Sequence, residues 1–323
     1  MQTPLITCGI TAFNAAESVE KAVLSALAQT WRPLEVVVVD DASTDATWEI
    51  LQQLANKHPE LRVFRQAENG GVAKARNRIL AEAKGEFVGF FDDDDESHPS
   101  RIQQQYARIT QYENRFANGA SVICHSARQI FYPDGSKRIE KTMGQNLETL
   151  APNGEGVAQR ILFGKPLKDA YGSCATCSQM ARLAIYRMLG GFDEAFRRGE
   201  DTELNIRLAL AGGHFVGIAE PLVMQTMTKT SDKSLRDEHR YMRLMLEKHQ
   251  ALLNRHGQYA FCLRWLDLKL MWQEGRRVGF VFELFKLALV HPVLTLRRLF
   301  YALPNIGLNS AFSRFHQSGH NKN

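Results

Sequence analysis

The first half of the chain alternates short apolar runs with segments whose apolar residues recur at helical spacing. The runs predict strands at residues 5–10, 34–39, 61–64 and 87–91. The helical segments predict helices at residues 16–29, after the N-cap candidates at 43–45, at 72–83, and from Pro99 onward. Repeated strand–helix units of this length predict an α/β fold with a doubly wound, mostly parallel sheet.

Two of the predicted strands end in carboxylates. Residues 40–41 are both Asp, and residues 92–95 are four Asp in succession. Ligands bind at the carboxyl ends of strands in open α/β sheets, and Asp92 and Asp94 should point the same way if the extended conformation persists. Neighbouring carboxylates repel unless a cation lies between them. An isolated acidic run is usually a solvated turn, but the apolar run before this one favours a site for a hard divalent cation.

Length and composition fit an enzyme-sized globular protein. The 323 residues are 44% apolar, which is enough for one large domain or two modest ones. Five cysteines are too few for a disulfide scaffold, and Cys174 and Cys177 lack the second pair of a zinc site, so we expect them to be structural and reduced. The N-terminal residues have no signal-peptide pattern, which predicts a cytoplasmic protein.

Charge is distributed unevenly along the chain. Residues 240–323 contain 13 Lys and Arg against 4 Asp and Glu, whereas residues 1–239 contain 27 against 31. Such asymmetry indicates separate partners for the two parts. The basic charges are interleaved with apolar residues and carry no nucleic-acid-binding motif, so we expect no nucleic-acid partner.

The apolar residues of the basic tail also have helical spacing. Within residues 279–290 only Glu283 and Lys286 are charged, one turn apart, and Arg297 and Arg298 interrupt the apolar positions that follow. Neither helix reaches the roughly 20 apolar residues that span a bilayer. The pattern predicts peripheral membrane contact through residues 278–303, or else an appendage packed on the first domain or on a second subunit, and both possibilities stay open.

A series of short motifs resembles the family 2 glycosyltransferases of the GT-A fold. The resemblance covers roughly residues 4–225, and its motifs are residues 10–14 (ITAFN), 39–45 (VDDASTD), 69–71 (NGG) with 75–77 (ARN), 91–95 (FDDDD) with Pro99, 190–194 (GGFDE), and 199–204 (GEDTEL) with Arg207. It implies a Rossmann-like GT-A fold and the transfer of a sugar, with inversion, from a nucleotide-sugar donor to an acceptor hydroxyl.

The resemblance implies a metal-assisted donor site. Asp94 and Asp92 match the ligands of a divalent metal, Mn2+ or Mg2+, that stabilises the charge developing on the leaving diphosphate. Asp92 or Asp93 would also contact the ribose or the donor sugar. Many relatives carry a histidine in the loop corresponding to residues 226–234, which leaves one side of the metal shell open here, because this loop has instead Thr228, Lys229, Thr230 and Lys233.

Four further residues match the nucleotide pocket of the family. Asp41 matches a carboxylate that accepts a hydrogen bond from the base, which favours uracil, thymine or guanine, so a UDP-sugar is the expected donor. Thr11 and Phe13 match positions that shape the base pocket. Arg76 is implied near the nucleotide and diphosphate, where a guanidinium can bind two oxygens. The alternative for Arg76 is a solvated residue on an amphipathic helix.

The acceptor side depends on the Glu-Asp motif. Asp201 matches the family's general base, a role that contributes about 10² to 10⁴ in rate, and Glu200 would orient the acceptor or the metal. The alternative is that these carboxylates are only favourable charges at the N-terminus of a helix over residues 201–211. Residues 122–142 predict a hairpin around a turn, and residues 143–170, which have no firm periodicity, are expected to border the acceptor site.

These patterns together predict two domains. Residues 1–235 would form the GT-A catalytic domain, and residues 236–323 a helical, basic, amphipathic appendage. The predicted activity is that of an inverting glycosyltransferase, a hexosyl- or N-acetylhexosaminyl-transferase that acts on a saccharide or lipid-linked saccharide in cell-surface polysaccharide or glycolipid assembly, in the cytoplasm or at the cytoplasmic face of the membrane. The alternative is a non-catalytic nucleotide-sugar-binding or scaffold protein of a polysaccharide assembly complex.

Overall fold

The computed structural model describes residues 3–227 and 235–302. The chain divides into two compact units. The first unit comprises residues 1–160 and 166–227, and the second comprises residues 161–165 and 228–323. The predicted boundary at residue 235 stays a prediction.

One mixed sheet organises the first unit. Its strands are β1 Ile6–Ala12, β2 Leu34–Asp40, β3 Leu61–Arg65, β4 Phe87–Asp92, β5 Asp95–Ser97, β6 Val122–Phe131, β7 Lys137–Glu140, β8 Gln179–Arg182 and β9 His214–Thr226. Their order is β3-β2-β1-β4-β8-β6-β9-β5, and β7 also pairs with β6, at residues 128–131. Strands β1 to β4 are parallel, whereas β8 pairs antiparallel with both β4 and β6. The four predicted strands coincide with β1 to β4, and the hairpin is β6–β7.

Helices alternate with these strands. In the first unit they are α1 Val19–Leu27, α2 Thr47–Lys57, α3 Val72–Glu82, α4 Arg101–Tyr112, α6 Leu183–Met188 and α7 Glu200–Leu210, while α5 Gly154–Phe163 begins in it. A π-helical turn, Glu113–Ala117, extends α4, and a 3-10 turn, Thr176–Ser178, precedes β8. All seven residues of β2 are buried, as expected for a parallel strand covered by helices on both faces.

A buried arginine fixes the junction between β4 and β5. The Arg101 side chain is fully buried, donates hydrogen bonds to Phe90 O at 2.7 Å and to Ser97 Oγ at 2.8 Å, and stacks 4.3 Å from the Phe91 ring centroid. It therefore ties the end of β4 to β5, on either side of the acidic turn.

The second unit is helical. Its helices are α8 Leu235–Lys248, α9 Gln250–Arg255, α10 Tyr259–Gln273, α11 Arg277–Val290 and α12 Pro292–Ala302. Polar contacts join α8 to α10: His239 and Arg243 both contact Asp267 Oδ1 at 2.8 Å, and Lys269 contacts Glu238 at 3.1 Å. A helical C-terminal region was predicted and is confirmed. Among the described residues, no helix combines the length and the apolar character that a bilayer crossing requires.

Candidate active site

The parallel register brings the predicted site residues to one edge of the sheet. Thr11 near the end of β1 is aligned with Asp92 at the end of β4, and Ala12 is aligned with Asp40 at the end of β2. The carboxyl ends of these strands therefore meet, which is where ligands bind in open α/β sheets.

The acidic run is a turn and not a continued strand. Strand β4 ends at Asp92, Asp93 and Asp94 form a turn, and β5 begins at Asp95. The extended conformation on which the alternation of Asp92 and Asp94 depended therefore stops at Asp92. Asp94 is exposed, while Asp93 accepts a hydrogen bond from the Phe13 backbone N–H at 2.9 Å. Burial, with the charges of Asp94 and Asp92, raises the pKa of Asp93 to about 7.

Asp95 adds a buried carboxylate to this turn. One potential ligand atom from each of Asp92, Asp95 and Cys177 lies within 4.8 Å of the other two. The buried Oδ1 atom of Asp95 has no hydrogen-bond partner in the described part of the chain. Burial, reinforced by the charges of Asp92 and Asp94, raises the pKa of Asp95 to about 8. A cation would reduce this repulsion and would give the unpaired Asp95 oxygen a partner.

The donor set fits a hard divalent cation through its carboxylates. Magnesium and manganese prefer oxygen ligands, and Asp92 and Asp95 supply them within the group. Burial raises the pKa of the Cys177 thiol well above its ordinary value, so the thiolate that a metal would require is disfavoured. The cluster contains Asp92, one of the two predicted ligands, together with Asp95, which was not predicted as one. The other predicted ligand, Asp94, lies on the exposed turn beside it, and the ligand roles stay predictions.

Arg76 joins the two acidic motifs. It lies in α3, is buried, and forms ion pairs with Glu200 and, at 3.3 Å, with Asp92. The rings of Phe90 and Phe192 lie 6.0 and 5.5 Å from its guanidinium carbon. Burial alone would lower the pKa of Arg76, but the surrounding carboxylates raise it, so the side chain stays charged. Arg76 is therefore not a solvated helix residue.

The Glu-Asp motif begins α7. Gly199, with φ of 72°, is the N-cap residue, a left-handed conformation that glycine adopts readily. Glu200 is buried against Arg76, whereas Asp201 is partly exposed and its Oδ1 accepts hydrogen bonds from the Thr202 backbone N–H at 2.6 Å and hydroxyl at 3.1 Å. The buried Glu203 pairs with Arg207 at 2.8 Å, which is a structural contact within the helix.

Asp41 is held by the loop that precedes α3. Its buried carboxylate accepts hydrogen bonds from the backbone N–H groups of Gly70 at 2.9 Å and Gly71 at 2.8 Å, and from the Gln66 side chain. Gly71 has φ of 86° and is the N-cap residue of α3. The NGG motif thus positions Asp41, and α3, the helix that follows this motif, carries Arg76 towards Asp92.

The structure groups the predicted residues in two sets. One set is Arg76, Asp92, Glu200 and the adjoining Asp201, and the other is Asp41 with its glycine loop. Phe13 joins the acidic turn through Asp93. The predicted loop residues Thr228, Lys229, Thr230 and Lys233 lie outside the described residues. Sequence reasoning missed Asp95 and Phe192, although Asp95 was the last residue of the acidic run and Phe192 lies in the GGFDE motif.

The family is established by the sequence itself. The model of glycosyl transferase family 2 matches residues 7–181, which is more than half of the chain. The chain belongs to this family. The matched segment includes the NGG loop, Arg76 and the acidic turn.

Several curated relatives share the matched region. Over 212 residues the chain is 37% identical to a hyaluronan synthase of Pasteurella multocida, and over 210 residues it is 38% identical to a chondroitin synthase of the same species. Each match covers 65% of this chain but only 19% of the relative, so this chain spans about a fifth of those proteins. The succinoglycan biosynthesis protein ExoO of Rhizobium meliloti is 35% identical over 214 residues, 66% of this chain and 58% of ExoO.

Solved structures support the fold. The structure of S. aureus TarS 1-349 in complex with UDP-GlcNAc matches with a TM-score of 0.59 and 21% identity, over 82% of this chain and 72% of TarS. The complex with UDP matches with a TM-score of 0.58 and 22% identity, over 82% and 71%. The predicted GT-A fold with a helical C-terminal region is confirmed.

Proposed function

We propose that this glycosyltransferase moves a sugar, with inversion, from a nucleoside-diphosphate sugar to an acceptor hydroxyl. The observation that carries the proposal is the Arg76 bridge, because it holds Glu200 of the Glu-Asp motif beside Asp92 of the acidic turn. The bridge supports the proposal because a single-displacement transfer needs its donor-side and acceptor-side groups close together.

The donor is a UDP-sugar. The Oδ2 atom of Asp41 accepts the Gly71 N–H, and since a carboxylate oxygen can accept a second bond, it retains capacity for the N–H of uracil. Thr11 and Phe13 lie at the same strand edge and would border the base. The complexes of TarS with UDP and UDP-GlcNAc support this choice of nucleotide, and hexosyl or N-acetylhexosaminyl transfer agrees with them.

A divalent metal, Mn2+ or Mg2+, would be held by Asp92 and Asp94, with the unpaired oxygen of Asp95 as a further ligand. When bound, it would stabilise the negative charge on the leaving diphosphate. Asp93, fixed by the Phe13 N–H, would face the ribose or the donor sugar.

Asp201 is the general base. It takes the proton of the acceptor hydroxyl while that oxygen bonds to the anomeric carbon and the bond from that carbon to the diphosphate oxygen breaks. The displacement occurs on the face opposite the leaving group and inverts the configuration. Glu200, fixed by Arg76, orients the acceptor beside this base, and the partial exposure of Asp201 leaves it accessible.

The acceptor is a saccharide or a lipid-linked saccharide in the assembly of a surface polysaccharide or glycolipid. Support comes from relatives named for hyaluronan, chondroitin and succinoglycan synthesis. We also propose that the protein works at the cytoplasmic face of the membrane and contacts it through residues 278–303, of which residue 303 lies outside the described residues.

A turnover screen of nucleotide sugars with Mn2+ tests the proposal. Asp201→Asn should keep UDP affinity near that of the wild type and lower kcat by about 10² or more, because it removes the proton acceptor alone. Glu60→Gln, which changes an exposed carboxylate just before β3, is the matched control and should keep full turnover. If the wild type binds a nucleotide sugar but turns over none with any acceptor, the chain is a binding or scaffold protein instead.

A further inference from the structure

Helices α11 and α12 each expose apolar residues on one face. In α11 the exposed fractions are 86% for Val278, 64% for Val281, 59% for Phe282, 62% for Phe285 and 68% for Leu289. Their spacing of three to four residues places them on one helix face. Residues of α12 are exposed at the same spacing, with Val293 at 74%, Leu296 at 68% and Phe300 at 70%, and we call the two sets together the stripe.

Packing within the second unit uses other faces of these helices. Leu287 and Thr295 are buried, and Phe280 lies 5.0 Å from the Trp272 ring at the corner between α10 and α11. His291, between α11 and α12, packs edge-on against Phe261 of α10 at 5.9 Å. The inner faces are thus occupied by the unit's own helices, and the apolar stripe points away from them.

The charges beside the stripe are mainly cationic. Arg276 is 59% exposed and pairs with Glu274 at 3.5 Å, Lys286 is 50% exposed, and Arg277 stacks 3.6 Å from the Trp272 ring. Within α11 the acidic residue is Glu283, which pairs with Lys286 at 2.9 Å. An apolar surface bordered by Arg, Lys and Trp is complementary to an anionic lipid headgroup layer, where the aromatic ring and the long cationic stems have both apolar and polar surroundings.

We propose that the stripe of α11 and α12 is a two-helix docking face that lies flat in the interface of an anionic lipid bilayer. The inference rests on the membrane contact proposed above and assigns it to particular side chains: the apolar residues enter the acyl boundary while Arg276, Arg277 and Lys286 contact headgroup phosphates. At 14 and 11 residues, the helices measure about 21 and 17 Å, shorter than the roughly 30 Å hydrocarbon core.

A second copy of the chain fits this surface less well than lipid does. Isologous pairing of the stripe would bring the net positive rims of both copies together, because Arg276, Arg277 and Lys286 outnumber Glu274 and Glu283. Anionic phosphates attract this positive charge, whereas the rim of a second copy carries the same charge and repels it.

Vesicle flotation of the full-length protein tests the inference. Wild type should float with phosphatidylglycerol-containing vesicles at low salt, bind phosphatidylcholine vesicles more weakly, and dissociate as salt screens the attraction. Phe282→Ser/Phe285→Ser should weaken binding by roughly tenfold or more, because it removes two large apolar anchors. Ile139→Ser/Met188→Ser changes two comparably exposed apolar residues of the first unit and should leave binding unchanged.

The outcomes separate a lipid-binding face from a protein-binding one. Equal flotation of the stripe variant and wild type, or no flotation of wild type with anionic vesicles at low salt, would overturn the inference. A concentration-dependent dimer that the stripe variant abolishes, without vesicle binding, would assign the face to a second copy. UDP-sugar turnover with a soluble acceptor should be the same in wild type and the stripe variant, so a failure of the enzymatic proposal is measured independently.

Discussion

The two units place their apolar side chains in opposite ways. In the first unit the apolar runs of β1, β2 and β4 are almost completely buried, whereas α11 and α12 turn large apolar residues outward. A strand inside a parallel sheet is covered on both faces by its own fold. A helix that is apolar on more than one face needs a surface beyond its own neighbours. Apolar segments therefore form a core in the first unit and a docking face in the second.

The largest expected effect tests whether chemistry is confined to the first unit. Asp94→Ala should lower sugar transfer by about 10³-fold or more while the protein stays folded, since it removes a proposed metal ligand and relieves repulsion within the acidic turn. The control is Asp237→Ala, in α8 of the second unit, which should keep full turnover. Retained activity of Asp94→Ala at saturating Mn2+ would transfer the ligand role to Asp92 and Asp95, and Asp95→Asn would then be inactive.

Arg76→Met should reduce the free energy of unfolding by about 3–5 kcal/mol, because it leaves the buried Glu200 carboxylate without its partner. Denaturant unfolding measures this loss. The double variant Arg76→Met/Glu200→Gln removes the uncompensated charge and should recover much of the stability. If the stability losses of the two single variants simply add in the double variant, Arg76 and Glu200 have no coupling energy. The ion pair would then not stabilise the first unit.

Much of the first unit could be predicted from sequence, because its strands are unbroken apolar runs and its motifs follow strand ends. The Arg76–Glu200 pair could not, since its partners lie 124 positions apart and meet only after the sheet has formed. The turn at Asp93 and Asp94 was also missed, because identical residues give no periodicity to mark where the strand ends. In α11 the spacing predicted a helix but could not distinguish its inner from its outer face.

A matched pair of phenylalanines tests the opposite orientations directly. Phe87 of β4 is fully buried against Tyr106, with ring centroids 5.3 Å apart, whereas Phe285 of α11 is 62% exposed. Phe87→Ala should cost about 3–5 kcal/mol of stability, and Phe285→Ala no more than about 0.5 kcal/mol. Equal losses in chemical unfolding would contradict the outward placement of Phe285 and, with it, the docking face.

The remaining test of this comparison concerns a titratable group inside the first unit. His125 of β6 is fully buried, and burial, reinforced by the charges of Arg128 and Arg101, lowers its pKa to about 3. The unfolded chain takes up this proton below about 6.5 and the folded protein does not, so stability falls as pH decreases between these values, by at most about 1.4 kcal/mol per pH unit. His125→Leu should flatten that dependence in denaturant unfolding measured from pH 7 to 4. Gln179→Leu, which changes the buried and uncharged neighbour in register on β8, should keep the wild-type slope. An unchanged slope in His125→Leu would mean that His125 is accessible to protons in the folded protein, and the first unit would then be less closed than its buried strands indicate.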